Sequence, residues 1–332
     1  MKINKQQLKV VFEAFSIDED ILKWEELVHI ENTVNEKLIL KQYFRISTNR
    51  MSYILKLLSL PMCSNTVLEI QSRFSELYRT NGVPTPKRFV SKNGMYLMNF
   101  LMEEKEILIS LEEDAGDQLL NFSSDTIVFM GNLLGKMHAV SIKKNCHFRP
   151  GNLYCEFREG QTTYLPLWKR TGTDFLPQDI FERILELYQE HMIEMKKTWD
   201  ILPRYTVQSD MYRMNLTVKD GKICIIDYDR VGDEVLLADM LVTWFRFRFD
   251  PIVRNAFENL DTIELWEKFL KAYETERPLT EDEKKTLIHE YAVIGAVFGT
   301  KMLADAAAGG DKKYAAENLK IVLDVLEGYG LQ

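Results

Sequence analysis

The sequence predicts an α+β protein in two lobes: a small N-terminal lobe of β-strands with one helix, and a larger, mainly helical C-terminal lobe. Three observations predict it. Strand-like runs cluster in the first hundred residues, amphipathic helical patterns dominate after about residue 103, and one short hairpin interrupts those helices near residue 220. A length of 332 residues suits two lobes. The expected division is 1–101 for the first lobe and 102–332 for the second.

Each element has its own reason. "KLILKQYFRI" and "MSYILKLL", separated by the polar "STNR", read as two strands around a turn. "TVLEIQSRFSELYRT" brings Val67, Ile70, Phe74, Leu77 and Tyr78 to helical spacing, and Asn81, Gly82, Pro84 and Pro86 stop the helix. "GMYLMNFLMEE" is a further strand-like run. "DTIVFMGNLLGKMHAV" is a helix behind Ser123 or Ser124 as N-cap. Helices follow at "DIFERILELYQEHMIEMKKTWDIL", "LLADMLVTWFRFRF" and "ELWEKFLKAYE". Another begins at "PLTEDEKK", where Thr280 and Glu283 form a capping box, and the last is "AAENLKIVLDVLEGYG".

Composition narrows the function classes. The net charge of -8 argues against non-specific nucleic-acid binding, which needs basic surface to displace phosphate counterions. The four cysteines, Cys63, Cys146, Cys155 and Cys224, lack C-x-x-C spacing and read as reduced thiols, with neither a zinc site nor a disulfide framework. The N-terminus lacks a signal-peptide pattern. The longest apolar run near the C-terminus, "YAVIGAVFG", is too short to span a bilayer. A soluble, cytoplasmic protein is expected; the oligomeric state is not legible.

Chemistry is concentrated in "QSDMYRMNLTVKDGKICIIDYDR". Asp220-Gly221 is a two-residue hairpin turn. Pairing outward sets Lys219 opposite Lys222, Val218 opposite Ile223 and Leu216 opposite Ile225. Asn215 then faces Ile226, with Asp227 one step away at the open end. A carboxamide oxygen beside one or two carboxylates suits Mg²⁺, which takes oxygen ligands and keeps several waters. Asp210 precedes Asn215 by five residues, so a short loop can return it to the same end. The layout fits phosphoryl transfer, where a metal bridges phosphates and a separate carboxylate takes the acceptor's proton.

These residues resemble the catalytic segment of the aminoglycoside phosphotransferase and choline kinase family, small-molecule kinases with a protein-kinase-like fold. The family pattern H-G-D-x-x-x-x-N, a hairpin and I-D-[WFY]-[DE] is similar to "QSDMYRMN" and "IIDYD", with Gln208 and Ser209 replacing His-Gly. The resemblance implies that Asp210 is the catalytic base and that Asn215, Asp227 and Asp229 hold Mg²⁺. Asp239 in "LLADML" would brace the catalytic loop. His138, ending "NLLGKMH", resembles a family histidine and reads as a structural hydrogen-bonder. "MSYILKLL" resembles the strand of the phosphate-contacting lysine, making Lys56 the candidate, with Lys41 on an equally good strand as its rival. Glu69 is the implied partner of Lys56, although it falls on the polar side of its helix beside Arg73. "YLMNFLMEE" resembles the hinge that meets adenine through main chain at Asn99, Phe100, Leu101 and Met102. The first lobe would then bind nucleotide, the second lobe would carry catalysis and the acceptor. No glycine precedes Gly82, so the loop over the phosphates is not glycine-rich.

The implied function is an ATP- and Mg²⁺-dependent phosphotransferase acting on a hydroxyl of a small molecule. An aminoglycoside, a choline-like amine and an amino alcohol all fit, and Arg246 and Arg248 would suit an acceptor with a carboxylate. Neither a nucleic-acid partner nor a membrane is implied. The alternative is a catalytically weak or inactive kinase-like binding protein, similar to spore-coat kinase-like proteins, motivated by "QSD" and the glycine-free first lobe.

Overall fold

The computed structural model describes residues 3–34, 37–59, 64–151, 177–257, 262–309 and 312–328. Cys63 and Cys155 lie outside them; Cys146 and Cys224 are free thiols. The chain forms two compact units, Met1–Gln118 with Met214–Asp229, and Leu119–Arg213 with Arg230–Gln332. The hairpin segment therefore belongs to the first unit although nearly half of the second precedes it in sequence.

In the first unit, helix α1 (Lys5–Ala14) precedes β1 (Ile21–Val34), β2 (Lys37–Thr48) and β3 (Ser52–Ser59). Helix α2 (Asn65–Thr80) comes next, then β4 (Met98–Met102), β5 (Lys105–Glu113) and β6 (Asp117–Gln118). Five strands make one antiparallel sheet in the order β1-β2-β3-β5-β4. The expected strands before residue 60 and the helix after it are present. Helical character from residue 103 is not: β5 occupies 105–113 and sits between β3 and β4. Ile107, Ile109 and Leu111 face the core and alternate with Leu108, Ser110 and Glu112, a short period-two run whose place in the sheet only the fold gives.

Strand β2 alternates strictly. Leu40, Gln42, Phe44 and Ile46 are buried and the residues between them are half-buried. Leu40, Phe44 and Ile46 join Tyr53, Leu55 and Leu57 of β3 and Ile107, Ile109 and Leu111 of β5 in one apolar core with Leu8, Val11, Phe12 and Phe15 from α1 and its exit. The opposite face carries Lys41, Tyr43 and Arg45 on β2, with Tyr43 paired to Lys56 on β3 and Lys56 paired to Ser110 on β5.

The second unit is helical. Its elements are α3 (Ser124–Lys143), α4 (Gln178–Thr198), β7 (Arg204–Val207), β10 (Gly232–Val235), α5 (Leu236–Arg248), α6 (Pro251–Ala256), α7 (Thr262–Glu276), α8 (Glu281–Gly309) and α9 (Lys312–Leu326). Ser123 caps α3 in a box with Thr126. The Thr280–Glu283 box opens α8, each backbone N–H donating to the other's side chain. A Cβ at Gly131 or Gly135 would stand 2.3 Å from the Phe269 carbonyl oxygen or 2.5 Å from that of Tyr273, so α3 lies directly against the backbone of α7. Among the described residues no helix is long and apolar enough to cross a membrane.

Polar groups inside this unit are linked in one direction. Arg277 Nη1 donates to Tyr273 Oη at 3.1 Å. Tyr273 Oη and Nδ1 of His138 lie 2.7 Å apart, and His138 Nε2 is 3.0 Å from Asp239 Oδ2. Burial, outweighing the Asp239 hydrogen bond, lowers the affinity of His138 for a second proton. A neutral ring donates Nε2–H to Asp239 and accepts Tyr273 O–H at Nδ1. His138 is thus a structural hydrogen-bonder, as expected, and Asp239 braces it.

Glu290 on α8 is an exception to this satisfaction. It is fully buried, and neither carboxyl oxygen has a hydrogen-bond partner among the described residues. Burial, and secondarily Glu283, push its pKa well above the usual carboxyl value of 4.5. The folded chain therefore keeps a proton that the unfolded chain releases, and stability falls as pH rises above about 4.5. Glu290→Gln is expected to raise Tm by a few degrees at pH 7 and to leave it unchanged near pH 4. Melts across pH check this; an unchanged or lower Tm at pH 7 would refute it.

Candidate active site

The site residues of the first unit are set by the hairpin. Asp220 and Gly221 both have positive φ, 52° and 72°, as a two-residue turn requires. Strands β8 (Leu216–Lys219) and β9 (Lys222–Ile225) pair with the predicted register, Leu216 to Ile225 through Lys219 to Lys222. The backbone N–H of Ile226 donates to the Asn215 carbonyl at 2.9 Å, which closes the open end. β6 adds a third strand beside β8. Ile225 N–H donates to the Pro84 carbonyl at 2.8 Å, and buried Tyr228 meets the edge of Tyr78 with centroids 6.1 Å apart. Leu216, Ile225 and Tyr228 anchor the hairpin so that Asn215, Asp227 and Asp229 gather at its base.

Asp227 adopts φ 59°, a left-handed conformation that aspartate tolerates at a cost, and its Oδ1 accepts the Asp229 N–H at 3.2 Å. Lys41 Nζ pairs with Asp229 Oδ2 at 2.6 Å. Gln71 of α2, buried, donates to the Asp229 carbonyl at 2.7 Å. Burial and the neighbouring Asp229 raise the pKa of Asp227 against the pull of Lys56 and Lys41. Asp229 is also pushed upward by burial, but the charge and hydrogen bond of Lys41 prevail and hold it below the ordinary value. Two adjoining carboxylates, one of them costly to ionise, make an oxygen-rich place that a divalent cation would relieve. Asn215, Asp227 and Asp229 fit Mg²⁺ on that chemistry.

Lys56 is buried, 5.3 Å from the centroid of Tyr43, and its Nζ pairs with Glu112 of β5 at 2.9 Å. Glu112 also faces Arg88 at 3.5 Å. The expected partner, Glu69, is engaged elsewhere: one oxygen accepts the N–H groups of Tyr96 and Leu97 at 2.9 and 3.1 Å, and the other pairs with Arg73. Its side of α2 is buried rather than solvated, because those two N–H groups and Arg73 satisfy it. Asn99, Phe100, Leu101 and Met102 form the edge strand β4, separated from Lys56 by β5.

Asp210 belongs to the second unit, in the loop after β7. Ser209 before it has φ 60°, the position where the family pattern has glycine. Gln208, buried where that pattern has histidine, accepts the Asp210 N–H on Oε1 at 2.8 Å, so the exchange preserves a brace. Arg246 of α5 donates to Asp210 Oδ1, and Arg230 Nε lies 3.7 Å from the same oxygen.

Residues 34–279, about three quarters of the chain, match the model of the phosphotransferase enzyme family. The chain belongs to this family. Solved structures agree on the fold. An amicoumacin kinase in complex with AMP-PNP and Ca²⁺ is 16% identical with TM-score 0.62, covering 96% of this chain and 94% of its own. A microcompartment-associated aminopropanol kinase is 15% identical with TM-score 0.61, covering 98% and 99%. A spectinomycin phosphotransferase in complex with ADP and spectinomycin is 13% identical with TM-score 0.56, covering 99% and 100%. No curated protein matches the sequence.

Within this phosphotransferase frame, three contributors went unseen in the sequence: Glu112, Gln71 and Arg88. Glu112 offers no signal because only the sheet order puts β5 next to β3. Gln71 carries one, since it lies two residues beyond Glu69 on a helix whose buried side is partly polar. The Glu112 carboxylate faces buried Lys56 and half-buried Arg88, and removing its charge would take from Lys56 its ion-pair partner at 2.9 Å. Glu112→Gln is expected to cost about 3 kcal/mol in urea denaturation; a loss under about 0.5 kcal/mol, the level of an exposed pair, would show that solvent screens Lys56.

Proposed function

We propose that the protein transfers the γ-phosphoryl group of ATP, bound with Mg²⁺, to a hydroxyl of a small molecule, with amines and amino alcohols among the acceptors. One observation carries the reading: the polar face of the sheet and the base of the hairpin bring Lys41, Lys56, Asp227 and Asp229 into one charged cluster. Membership of the phosphotransferase enzyme family supports it. So do the neighbours' names, which include kinases of amicoumacin and aminopropanol.

Each residue has a proposed part. Asp210 orients the acceptor hydroxyl and takes its proton as the new P–O bond forms. Asn215 and Asp227 would hold the cation through their side-chain oxygens, with Asp229 held ionised beside them by Lys41. Bound Mg²⁺ would neutralise charge on the phosphate oxygens. Lys56 supplies positive charge to the phosphates, and Glu112 fixes its ammonium group, the part expected of Glu69. Glu69 fastens α2 to the segment before β4. For adenine we assign the main chain of Asp114–Gly116, where the chain leaves β5, in place of Asn99–Met102. Lys56 pairs in register with Ser110 of β5, whereas β4 stands a further strand spacing of about 4.8 Å away.

A second reading has one observation behind it. Arg246 already occupies Asp210, as it would in a binding protein that performs no transfer. Two measurements separate the readings. MgATP at about 100 times its Kd should stabilise the wild type by roughly 2.7 kcal/mol, and Asp227→Ala should abolish the Mg²⁺-dependent part of the thermal shift. Asp210→Asn should keep the shift and lose about 10²- to 10⁴-fold in kcat. Nucleotide binding without turnover of any hydroxyl compound would favour the binding protein; no shift at millimolar MgATP would remove the kinase reading.

A further inference from the structure

We propose that Arg246 is a specificity residue that receives a carboxylate on the acceptor, so that the molecule phosphorylated is a hydroxy acid or a hydroxyl-bearing amino acid. The inference rests on the kinase reading and narrows its substrate class.

Arg246 lies in the last turn of α5, its Nη1 donating to Oδ1 of Asp210, with the two side chains only 17% and 16% exposed. Its guanidinium stands 5.3 Å from the centroid of Tyr212 and 6.0 Å from that of Phe298. Aromatic faces on a planar cation fix its orientation and favour its charge. Neighbouring arginines are committed to structure. Arg248 donates to Tyr291 Oη at 2.8 Å, and Arg213 pairs with Asp250 at 2.9 Å. Arg246 is instead aimed at the carboxylate that is to accept the hydroxyl proton. Arg230 adds a second positive charge at 3.7 Å from the same oxygen.

A hydroxyl must approach that same carboxylate to lose its proton. An acceptor that brings only ammonium groups adds positive charge beside two guanidinium groups, and like charges in a partly buried place repel. An acceptor with a carboxylate near its hydroxyl gives Arg246 an equivalent partner, because the guanidinium fork matches a carboxylate in two parallel hydrogen bonds. Asp210's own carboxylate, seated on Arg246, marks the position the acceptor's would take. The exchange moves one ion pair from Asp210 to the substrate and opens an Asp210 oxygen to the hydroxyl. No bond to Arg246 is made or broken in the transfer.

The test compares acceptors that differ only by the carboxylate: serine with ethanolamine, and homoserine with aminopropanol, each with MgATP and the full chain. The wild type should favour the acid in at least one pair by about tenfold or more in kcat/KM. Arg246→Gln should bring that ratio down to about one, chiefly through KM, and Arg246→Lys should restore part of it. A merely structural arginine would change both members of a pair alike, and that outcome overturns the proposal. Preference for the amino alcohols, or for glycerol phosphate over the acids, also overturns it. If no acceptor turns over, the kinase reading fails separately and calorimetric titration decides. Serine or homoserine binding that is lost in Arg246→Gln upholds the carboxylate site, and absence of binding to the wild type refutes it.

Discussion

Side chains on a β-strand point alternately to opposite faces, and in the first unit this constraint sorts structure from chemistry. Even-numbered positions of β2 feed the core over α1, while odd-numbered positions supply Lys41 and Tyr43 to the other face. Antiparallel register then carries the same division across β3 and β5, placing Lys56 and Glu112 on the polar side. A slip of one residue in any of these pairings would bury the lysines against α1 and expose the core. The apolar packing of α1 is therefore what fixes the charged face, at no cost in dedicated residues.

The second unit relies on directional hydrogen bonding where the first relies on alternation. Arg277, Tyr273, His138 and Asp239 pass donors one way through α7, α3 and α5. Each group has a role only in that order: a histidine protonated on both nitrogens could not accept from the tyrosine. Burial keeps the ring neutral and so keeps the order intact. Asp210 stands on the same framework at one remove, since α5 carries both Asp239 and Arg246.

What the sequence disclosed follows the range of the forces involved. The hairpin register and the capping box at Thr280 are local, written within a few residues, and were legible to the residue; the α3 cap was narrowed to Ser123 or Ser124. The family pattern marked Asp210, Asn215 and Asp227 as candidates because its spacing is also local. Strand β5 was missed although Ile107, Ile109 and Leu111 alternate with Ser110 and Glu112, and the Lys56–Glu112 pair was missed because it depends on sheet order. Glu69, the implied partner of Lys56, instead accepts from the N–H groups of Tyr96 and Leu97, which lie 27 and 28 residues away, beyond the reach of a local pattern. Arg246 was visible as a charge in "TWFRFRFD", yet only the fold shows that it meets Asp210 while Arg248 meets Tyr291.

The glycines at positions 131 and 135 have a wider consequence. With a carbonyl of α7 lying where each missing Cβ would be, α3 and α7 touch backbone to backbone over a full helical turn. Surfaces in such contact have no side-chain layer to shear, so the two helices open to solvent and exchange their amide hydrogens as one cooperative block. The rigid pair gives the His138 relay a fixed frame within which its short contacts persist.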